Sequence, residues 1–192
     1  MAPVNWFRQP ADGDPGTLNA CYEALDIHVV RGRADDVAAT VDGRELSYAR
    51  MLTEVAACAG VLHAFGVGLG DRVVVGELSP EGRVVVPLAV ARVGALAAYD
   101  SSPGAEGRVQ VSGSGFATDG DEVPWDVAMR AGRTDPAGCA DVPGDAVMAV
   151  HGDDVLTVLE AVGAADDHKP SAPAGATLVE GGGVRFWSFD AP

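Results

Sequence analysis

Residues 71–99, with the sequence DRVVVGELSPEGRVVVPLAVARVGALAAY, decide the fold of this chain. The run Arg72–Gly76 is short, continuous and β-branched, which is typical of a buried parallel strand. Ser79-Pro80-Glu81 predicts the start of a helix, because proline fits the first helical position, where its missing N–H is not needed. Ala95–Tyr99 predicts the next strand. Strand, helix and strand with short loops form a βαβ unit, so we expect an α/β fold with an open, mainly parallel sheet and flanking helices.

Two helices and a hairpin are predicted upstream of this unit. Thr17 is the predicted N-cap of a helix from Leu18 to Val30, where apolar residues recur at helical spacing. Asp42-Gly43-Arg44 supplies the positive φ angles of a tight turn, so a β-hairpin is predicted around it. Ser47 then caps a predicted helix from Tyr48 to about Phe65.

The second half of the chain has a weaker pattern. Glycine and proline concentrate after Ser101, which predicts a loop-rich half over residues 101–192 and a well-patterned half over residues 21–100. We expect both halves to form a single α/β domain over residues 21–192, preceded by an extended N-terminal arm at residues 1–20. The elements predicted in the second half are a strand at Arg108–Val111, a helix at Trp125–Ala131, a strand at Ala146–Val150, a helix at Asp153–Val162 and a terminal hairpin over residues 175–187.

The charge of the chain argues against two classes of partner. Its 192 residues carry 13 Lys and Arg against 28 Asp and Glu, a formal net charge of −15. Such a surface repels phosphate backbones and anionic lipids, so we expect no nucleic acid and no membrane partner. Because the sequence shows no long apolar run and no basic leader, we predict a cytoplasmic protein. The cysteines Cys21, Cys58 and Cys139 fit reduced thiols better than a disulfide framework.

Four segments occur in an order and at distances that resemble a known family. They are Asn5-Trp6-Phe7; Leu18–Tyr22 with Ala24-Leu25-Asp26 and His28; Asp42–Tyr48; and Gly66-Val67-Gly68 with Gly70–Val73. They resemble the N-terminal region of AMP-forming acyl-CoA synthetases, especially the acetyl- and propionyl-CoA synthetase branch of the adenylate-forming superfamily. The resemblance covers about half of the chain and implies the N-terminal α/β subdomain of those enzymes.

The resemblance also implies parts that this sequence does not show. Family members hold the ATP phosphates in a Ser/Thr/Gly-rich loop ending in Lys, because clustered N–H groups and one ammonium offset phosphate charge. Where that loop is expected, residues 146–154 give an apolar run followed by Asp153 and Asp154, whose carboxylates repel a triphosphate. The C-terminal domain with its catalytic lysine is not seen either. We therefore expect a truncated, non-adenylating relative, predict no cofactor and carry over no catalytic residue.

Two groups of residues are candidates for other chemistry. His151 with Asp153 and Asp154 could act as a general base oriented by a carboxylate, although an exposed turn explains the same residues. Gly113, Ser114 and Gly115, which follow Ser112, could form an anion-binding loop. The dinucleotide spacing is incomplete there, and a surface turn explains these residues as well.

The cysteines and histidines predict no metal site. Cys21 and His28 share a face of the first predicted helix but stand about 10 Å apart, and core packing better explains Cys21. Cys58 and His63 lie off a common helix face, which argues against metal ligation.

Three functional hypotheses follow from the sequence. The first is an accessory or interaction protein that self-associates or binds a protein partner, because part of a larger α/β enzyme should expose apolar surface. The second is a small-molecule binder that retains part of an acyl, CoA or nucleotide pocket. The third is an enzyme with unrelated chemistry around His151.

Overall fold

The computed structural model describes residues 4–99, 106–118, 120–163, 176–180 and 184–190. Its strands are β1 (Thr17–Leu18), β2 (Val37–Val41), β3 (Arg44–Ser47), β4 (Arg72–Val75), β5 (Leu96–Ala98), β6 (Val109–Val111), β7 (Gly115–Ala117), β8 (Glu122–Pro124), β9 (Val142–Pro143), β10 (Val147–His151), β11 (Asp154–Thr157), β12 (Thr177–Glu180) and β13 (Arg185–Ser188). Its helices are a π-helical turn (Tyr22–Asp26), α1 (Ile27–Val30), α2 (Tyr48–Ala64), α3 (Gly82–Arg92), α4 (Trp125–Gly132) and α5 (Val158–Ala161).

The main sheet has seven strands in the order β11-β10-β5-β4-β6-β7-β8. The four central strands β10, β5, β4 and β6 run parallel, while β11, β7 and β8 are antiparallel to their neighbours. Strand β4 lies at the centre, and its Val73 and Val75 side chains are fully buried. Helix α2 packs against both α3 and α4. The predicted α/β fold, with its mainly parallel sheet and flanking helices, is confirmed.

The hairpin and long helix of the first half form as predicted. Asp42 and Gly43 take positive φ angles of 50° and 75° in the turn between β2 and β3. The Ser47 hydroxyl then accepts a hydrogen bond from Arg50 N at 3.3 Å and so caps α2. Local turn and cap chemistry mark the ends of this unit, and burial of Ala38, Ala39 and Leu46 in the core holds it in place.

The predicted start of the first helix is wrong. Thr17 lies in strand β1, where its backbone pairs with Arg8 and Pro143. The cap is Asn19, whose Oδ1 accepts hydrogen bonds from Cys21 N at 3.0 Å and Tyr22 N at 3.3 Å. Tertiary pairing of β1 therefore overrides the capping preference of threonine, and the helix begins two residues later than predicted.

The predicted helix over Asp153–Val162 is also wrong. Residues 154–157 form β11, which pairs antiparallel with β10 around a turn in which Gly152 has a φ of 59°. Only α5 is helical, and it starts at a capping box in which Thr157 and Glu160 bond to each other's backbone. A short apolar run fits both the 3.6-residue period of a helix and the two-residue period of a strand, so these apolar positions did not distinguish the two.

The β10–β11 hairpin has the same pairing register as the β2–β3 hairpin. In β2–β3 the pairs are Val37 with Ser47, Ala39 with Leu46, Thr40 with Glu45 and Val41 with Arg44. In β10–β11 they are Val147 with Thr157, Ala149 with Leu156, Val150 with Val155 and His151 with Asp154. Both ladders shift register after their first pair, and a hydroxyl residue caps the following helix in each. Within the described residues this hairpin register, followed by a capped helix, therefore occurs twice, although α2 has 17 residues and α5 has four.

The remaining predicted elements have mixed outcomes. The strand at residues 108–111, the helix from Trp125 and the strand at residues 146–150 correspond to β6, α4 and β10. The terminal hairpin is β12 with β13, while Gly175 and Gly181–Gly183 lie outside the described residues. Strands β7 and β8 were not predicted, because residues 115–117 and 122–124 form no β-branched or alternating apolar run. Gly115 begins β7 with a φ of 153°, and a Cβ there would lie 2.1 Å from Val123 O.

Two glycines bring α2 and α4 into backbone contact. A Cβ added at Gly132 would lie 2.1 Å from Ala57 O, and one added at Gly60 would lie 2.2 Å from Asp135 O. Beyond the crossing, Ala137 N donates a 3.0 Å hydrogen bond to Ala56 O. This close approach fixes the segment after α4 on the surface of α2.

Replacing Gly132 by alanine is therefore expected to destabilise the protein, although alanine is the better helix former. The added methyl group meets backbone rather than a movable side chain, so we expect a loss of about 2–3 kcal/mol in the free energy of unfolding by urea. Gly138→Ala is the control, because a Cβ there meets nothing within 4 Å. Equal midpoints for the two variants would contradict the predicted contact.

Candidate functional site

The candidate anion-binding loop forms the turn between β6 and β7. Gly113 N donates to Glu77 O at 2.7 Å, and Gly115 N donates to Ser112 O at 3.2 Å. Ser114 N donates to Ser112 Oγ at 3.3 Å, so all three amides have partners within the protein. The loop lines an open groove of about 560 Å³ together with residues 77–80. Its geometry is that of a hydrogen-bonded turn, and an anion would have to displace these bonds.

The Ser114 side chain adds a negative neighbour to this loop. Its hydroxyl lies 2.8 Å from Ser112 Oγ and donates to Glu122 Oε1 at 3.2 Å. A carboxylate at this position disfavours a second anion nearby. The role of Gly113, Ser114 and Gly115 in binding stays a prediction.

His151, Asp153 and Asp154 lie in the turn of the β10–β11 hairpin. His151 and Asp153 are exposed, Asp154 is half-buried, and His151 pairs across the ladder with Asp154. The imidazole ring packs 5.8 Å from the Phe189 ring, at an angle of 41°. The three residues are therefore neighbours on the surface, and the hypothesis of chemistry at His151 stays untested.

Cys21 and His28 point into different surroundings. The His28 ring stacks on Tyr48 at 4.5 Å. Partial burial, and to a smaller extent the charge of Arg33, lowers the pKa of His28. Cys21 is fully buried beside Asp26. The two residues therefore do not form one site.

A cleft that the sequence did not predict lies between α2, α4 and the start of α3. Its volume is about 270 Å³. The residues that line it are Arg44, Arg50, Glu54, Ser79, Glu81, Gly82, Val85, Trp125, Met129 and Arg133. Three arginines thus meet in one concavity of a chain whose net charge is −15.

The buried carboxylate of Glu54 organises two of these arginines. Its side chain is 4% exposed, Arg50 Nη2 lies 2.7 Å from one carboxylate oxygen and Arg133 Nη2 lies 2.5 Å from the other. The guanidinium groups stay about half exposed, so water screens their free sides. Because a buried carboxylate needs paired charges, Glu54 holds both arginines at the wall of the cleft.

The start of α3 and an aromatic side chain complete the cleft. Ser79 Oγ accepts a 3.1 Å hydrogen bond from Gly82 N, and Arg44 pairs with Glu81 at the rim. The half-buried Trp125 ring, which stacks on Phe116 at 5.3 Å, forms an apolar wall.

Three guanidinium groups face two carboxylates in the cleft, which leaves one positive charge in excess. An arrangement of this kind suits a small anion that carries a flat or apolar group. The sequence could not reveal it, because the arginines come from β3, α2 and the residue after α4, and each has acidic neighbours along the chain.

The relatives of this chain are acyl-CoA synthetases. No family model matches the chain. It is 41% identical over 93 residues to an acetyl-coenzyme A synthetase of Rhodopirellula baltica, covering 42% of this chain and 14% of that protein. It is 33% identical over 142 residues to the acetyl-coenzyme A synthetase of Burkholderia thailandensis, which covers 68% of this chain and 20% of that protein. Acyl-CoA synthetase short-chain family member 3, mitochondrial, of Mus musculus is 37% identical over 99 residues, which covers 48% of this chain and 14% of that protein.

Two solved structures are similar to part of the fold. Apo MatB from Rhodopseudomonas palustris aligns with a TM-score of 0.49 and 18% identity over 74% of this chain and 35% of that chain. The anthranilate CoA ligase AuaEII in complex with anthranoyl-AMP aligns with a TM-score of 0.41 and 22% identity, over 49% of this chain and 18% of that chain.

The chain is similar in sequence to part of the acyl-CoA synthetases. More narrowly, it is homologous to a fragment of acetyl-CoA synthetases and their short-chain relatives, and it spans 14–20% of the length of the curated relatives named above. The resemblance seen in the sequence is thereby confirmed. Because one relative is mitochondrial by name, the cytoplasmic location stays a prediction. None of the helices in the described part of the chain has the length and apolar character needed to cross a bilayer.

Proposed function

We propose that this chain is a non-adenylating relative of acyl-CoA synthetases that works as an interaction subunit. The observation that carries the proposal is the contrast between the two hairpin–helix units. At equivalent places the first hairpin has the exposed pair Thr40 and Glu45, whereas the second has Val150 and Val155. Val155 is 49% exposed, and Val147 on the same hairpin is 38% exposed.

The position of this hairpin favours a protein partner. Strand β11 is an end strand of the main sheet among the described strands, so one side of its backbone faces no further strand. An edge strand with exposed β-branched side chains is a template for pairing with another chain. Glu45 at the equivalent place of the first hairpin is compatible with this register, which supports a role for Val155 beyond folding.

The charge of the chain favours one class of partner. A second copy would also carry a net charge of −15, and the two would repel each other at low ionic strength. A partner with an apolar strand and flanking Lys or Arg residues fits both the valines and the acidic surroundings of Asp153 and Asp154. We therefore expect a complex with a basic protein, while a self-associated form is the alternative outcome.

Val155→Glu is expected to weaken this complex at least about tenfold in Kd, because it places a carboxylate in an apolar contact. The partner is identified by what co-purifies with the native protein, and Kd is then measured by calorimetry with the purified pair. Val30→Glu is the matched control, because Val30 is 70% exposed on α1 and the charge change is the same. Equal affinities for the two variants, or a clean monomer that binds no partner, would contradict the proposal.

The purified chain is also expected to make no acyl-adenylate. With ATP, Mg²⁺ and acetate it should give no pyrophosphate exchange above the buffer, because the expected place of the phosphate loop carries Asp153 and Asp154. A full-length acetyl-CoA synthetase in the same assay is the positive control. Acetyl-adenylate formed by this chain alone would refute the non-adenylating role.

The arginine cleft supports a second candidate, the binding of an anionic small molecule. Inorganic phosphate, AMP, CoA and acetyl-CoA are the probes, and at least one should raise the melting temperature of the protein. Arg44→Gln should raise the Kd of that probe about tenfold, because it removes a charge-assisted bond from the rim without uncovering Glu54. Arg31→Gln, outside the cleft, is the control. No thermal shift with any probe would exclude this candidate.

A further inference from the structure

A second polar cluster joins the start of the first helix, the end of α3 and the segment after α4. Cys21, Asp26 and Cys139 each offer one sulfur or oxygen atom, and these atoms lie within 4.8 Å of one another. Arg92 Nη1 lies 2.9 and 2.8 Å from the two Asp26 oxygens and 3.5 Å from Cys21 Sγ. Two thiols that are far apart in the sequence are therefore neighbours in the fold.

Hydrogen bonds on both sides hold Cys139 in this cluster. Arg92 Nε donates to Ala137 O at 2.7 Å, and Ala140 N donates to Arg92 O at 2.7 Å. Asn19 Nδ2 also donates to Ala140 O at 3.0 Å. The residues around Cys139 are thus tied to the end of α3 and to the residue that caps the first helix.

The guanidinium of Arg92 argues against a metal ion as the occupant. Its Nη1 atom bonds to both Asp26 oxygens and to the Cys21 sulfur, which are the atoms that a cation would need. The side chains of Arg92 and Asp26 are only 8% and 14% exposed. Displacing one partner of so buried an ion pair would leave an uncompensated charge.

We propose that Cys21 and Cys139 are a redox-sensitive thiol pair that a peroxide converts into a disulfide. The two sulfurs are within 4.8 Å, and a disulfide needs about 2.05 Å. The proposal therefore requires the two side chains to rotate about their Cα–Cβ bonds until the sulfurs meet. Cys58, which is fully buried in α2, is not part of this cluster.

The half-buried Cys139 meets the peroxide first. Its thiolate attacks one peroxide oxygen, the O–O bond breaks, and the sulfur becomes a sulfenic acid while hydroxide leaves and takes a proton to form water. Cys21 then attacks the Cys139 sulfur, the S–S bond forms, and the S–OH bond breaks. The leaving hydroxide takes the Cys21 proton as a second water. Two thiols are oxidised and one peroxide is reduced.

The surroundings of Cys21 suit it to the second step. Burial, followed by a hydrogen bond with Cys139, raises the pKa of the Cys21 thiol, so it is a poor first nucleophile in bulk oxidant. Arg92 stands 3.5 Å from its sulfur and stabilises the thiolate as it forms. The resulting bridge would lock the segment after α4 to the N-terminal part of the chain and restrict the unfolded state.

The test is to treat the purified full-length chain with hydrogen peroxide and count free thiols after unfolding. The count should fall from the three cysteines of the sequence to one, and peptide mapping should find residues 21 and 139 linked. The melting temperature should rise on oxidation and return with a reductant. Cys58→Ser is the control and should still form the bridge.

Cys21→Ser and Cys139→Ser should each lose the bridge and the reversible rise in melting temperature. Circular dichroism checks that both variants are folded. If a variant does not fold, the peptide map of the wild-type chain still tests the bridge. Three free thiols after peroxide, or a bridge that includes Cys58, would overturn the proposal. A stoichiometric metal ion that protects Cys21 and Cys139 from oxidation would overturn it as well.

Discussion

The backbone contact between α2 and α4 is the constraint on which both polar clusters depend. With no side chain at Gly60 and Gly132, α4 approaches α2 closely enough for Ala137 N to reach Ala56 O. Arg133, the first residue after α4, then meets Glu54 on α2, which builds one wall of the cleft. The chain continues from there to Cys139 and brings its thiol beside Cys21. One close approach thus sets the geometry of two sites.

Comparison of the two hairpins distinguishes the residues that form the backbone structure from the residues that face outward. Both copies keep the register shift, the glycine-containing turn and a hydroxyl cap, because these features determine whether the unit folds. They differ where side chains face outward, with Thr40 and Glu45 in one copy and Val150 and Val155 in the other. Exposed apolar residues at a sheet edge are a template for pairing with another chain, and this difference is what supports the proposed protein contact.

Similarity to part of the acyl-CoA synthetases accounts for the fold, while the function of this chain depends on its own residues. The amides of Gly113, Ser114 and Gly115 already have partners, and the turn after β10 carries Asp153 and Asp154. Positive charge is instead concentrated in the arginine cleft, where Glu54 holds Arg50 and Arg133 in place. The cleft and the exposed valines at the sheet edge are the two features on which the proposed functions rest.

The sequence by itself determined the βαβ core, the hairpin at Asp42-Gly43 and helix α2, because buried β-branched runs, turn glycines and caps act over a few residues. The sequence also indicated the similarity to acyl-CoA synthetases. It did not determine that Thr17 is a strand residue or that residues 154–157 form β11, because pairing with β9 in the first case and with β10 in the second decides both. The arginine cleft and the Cys21–Cys139 pair were decided only by tertiary structure, because their members are distant in sequence and meet through helix packing that leaves no local pattern.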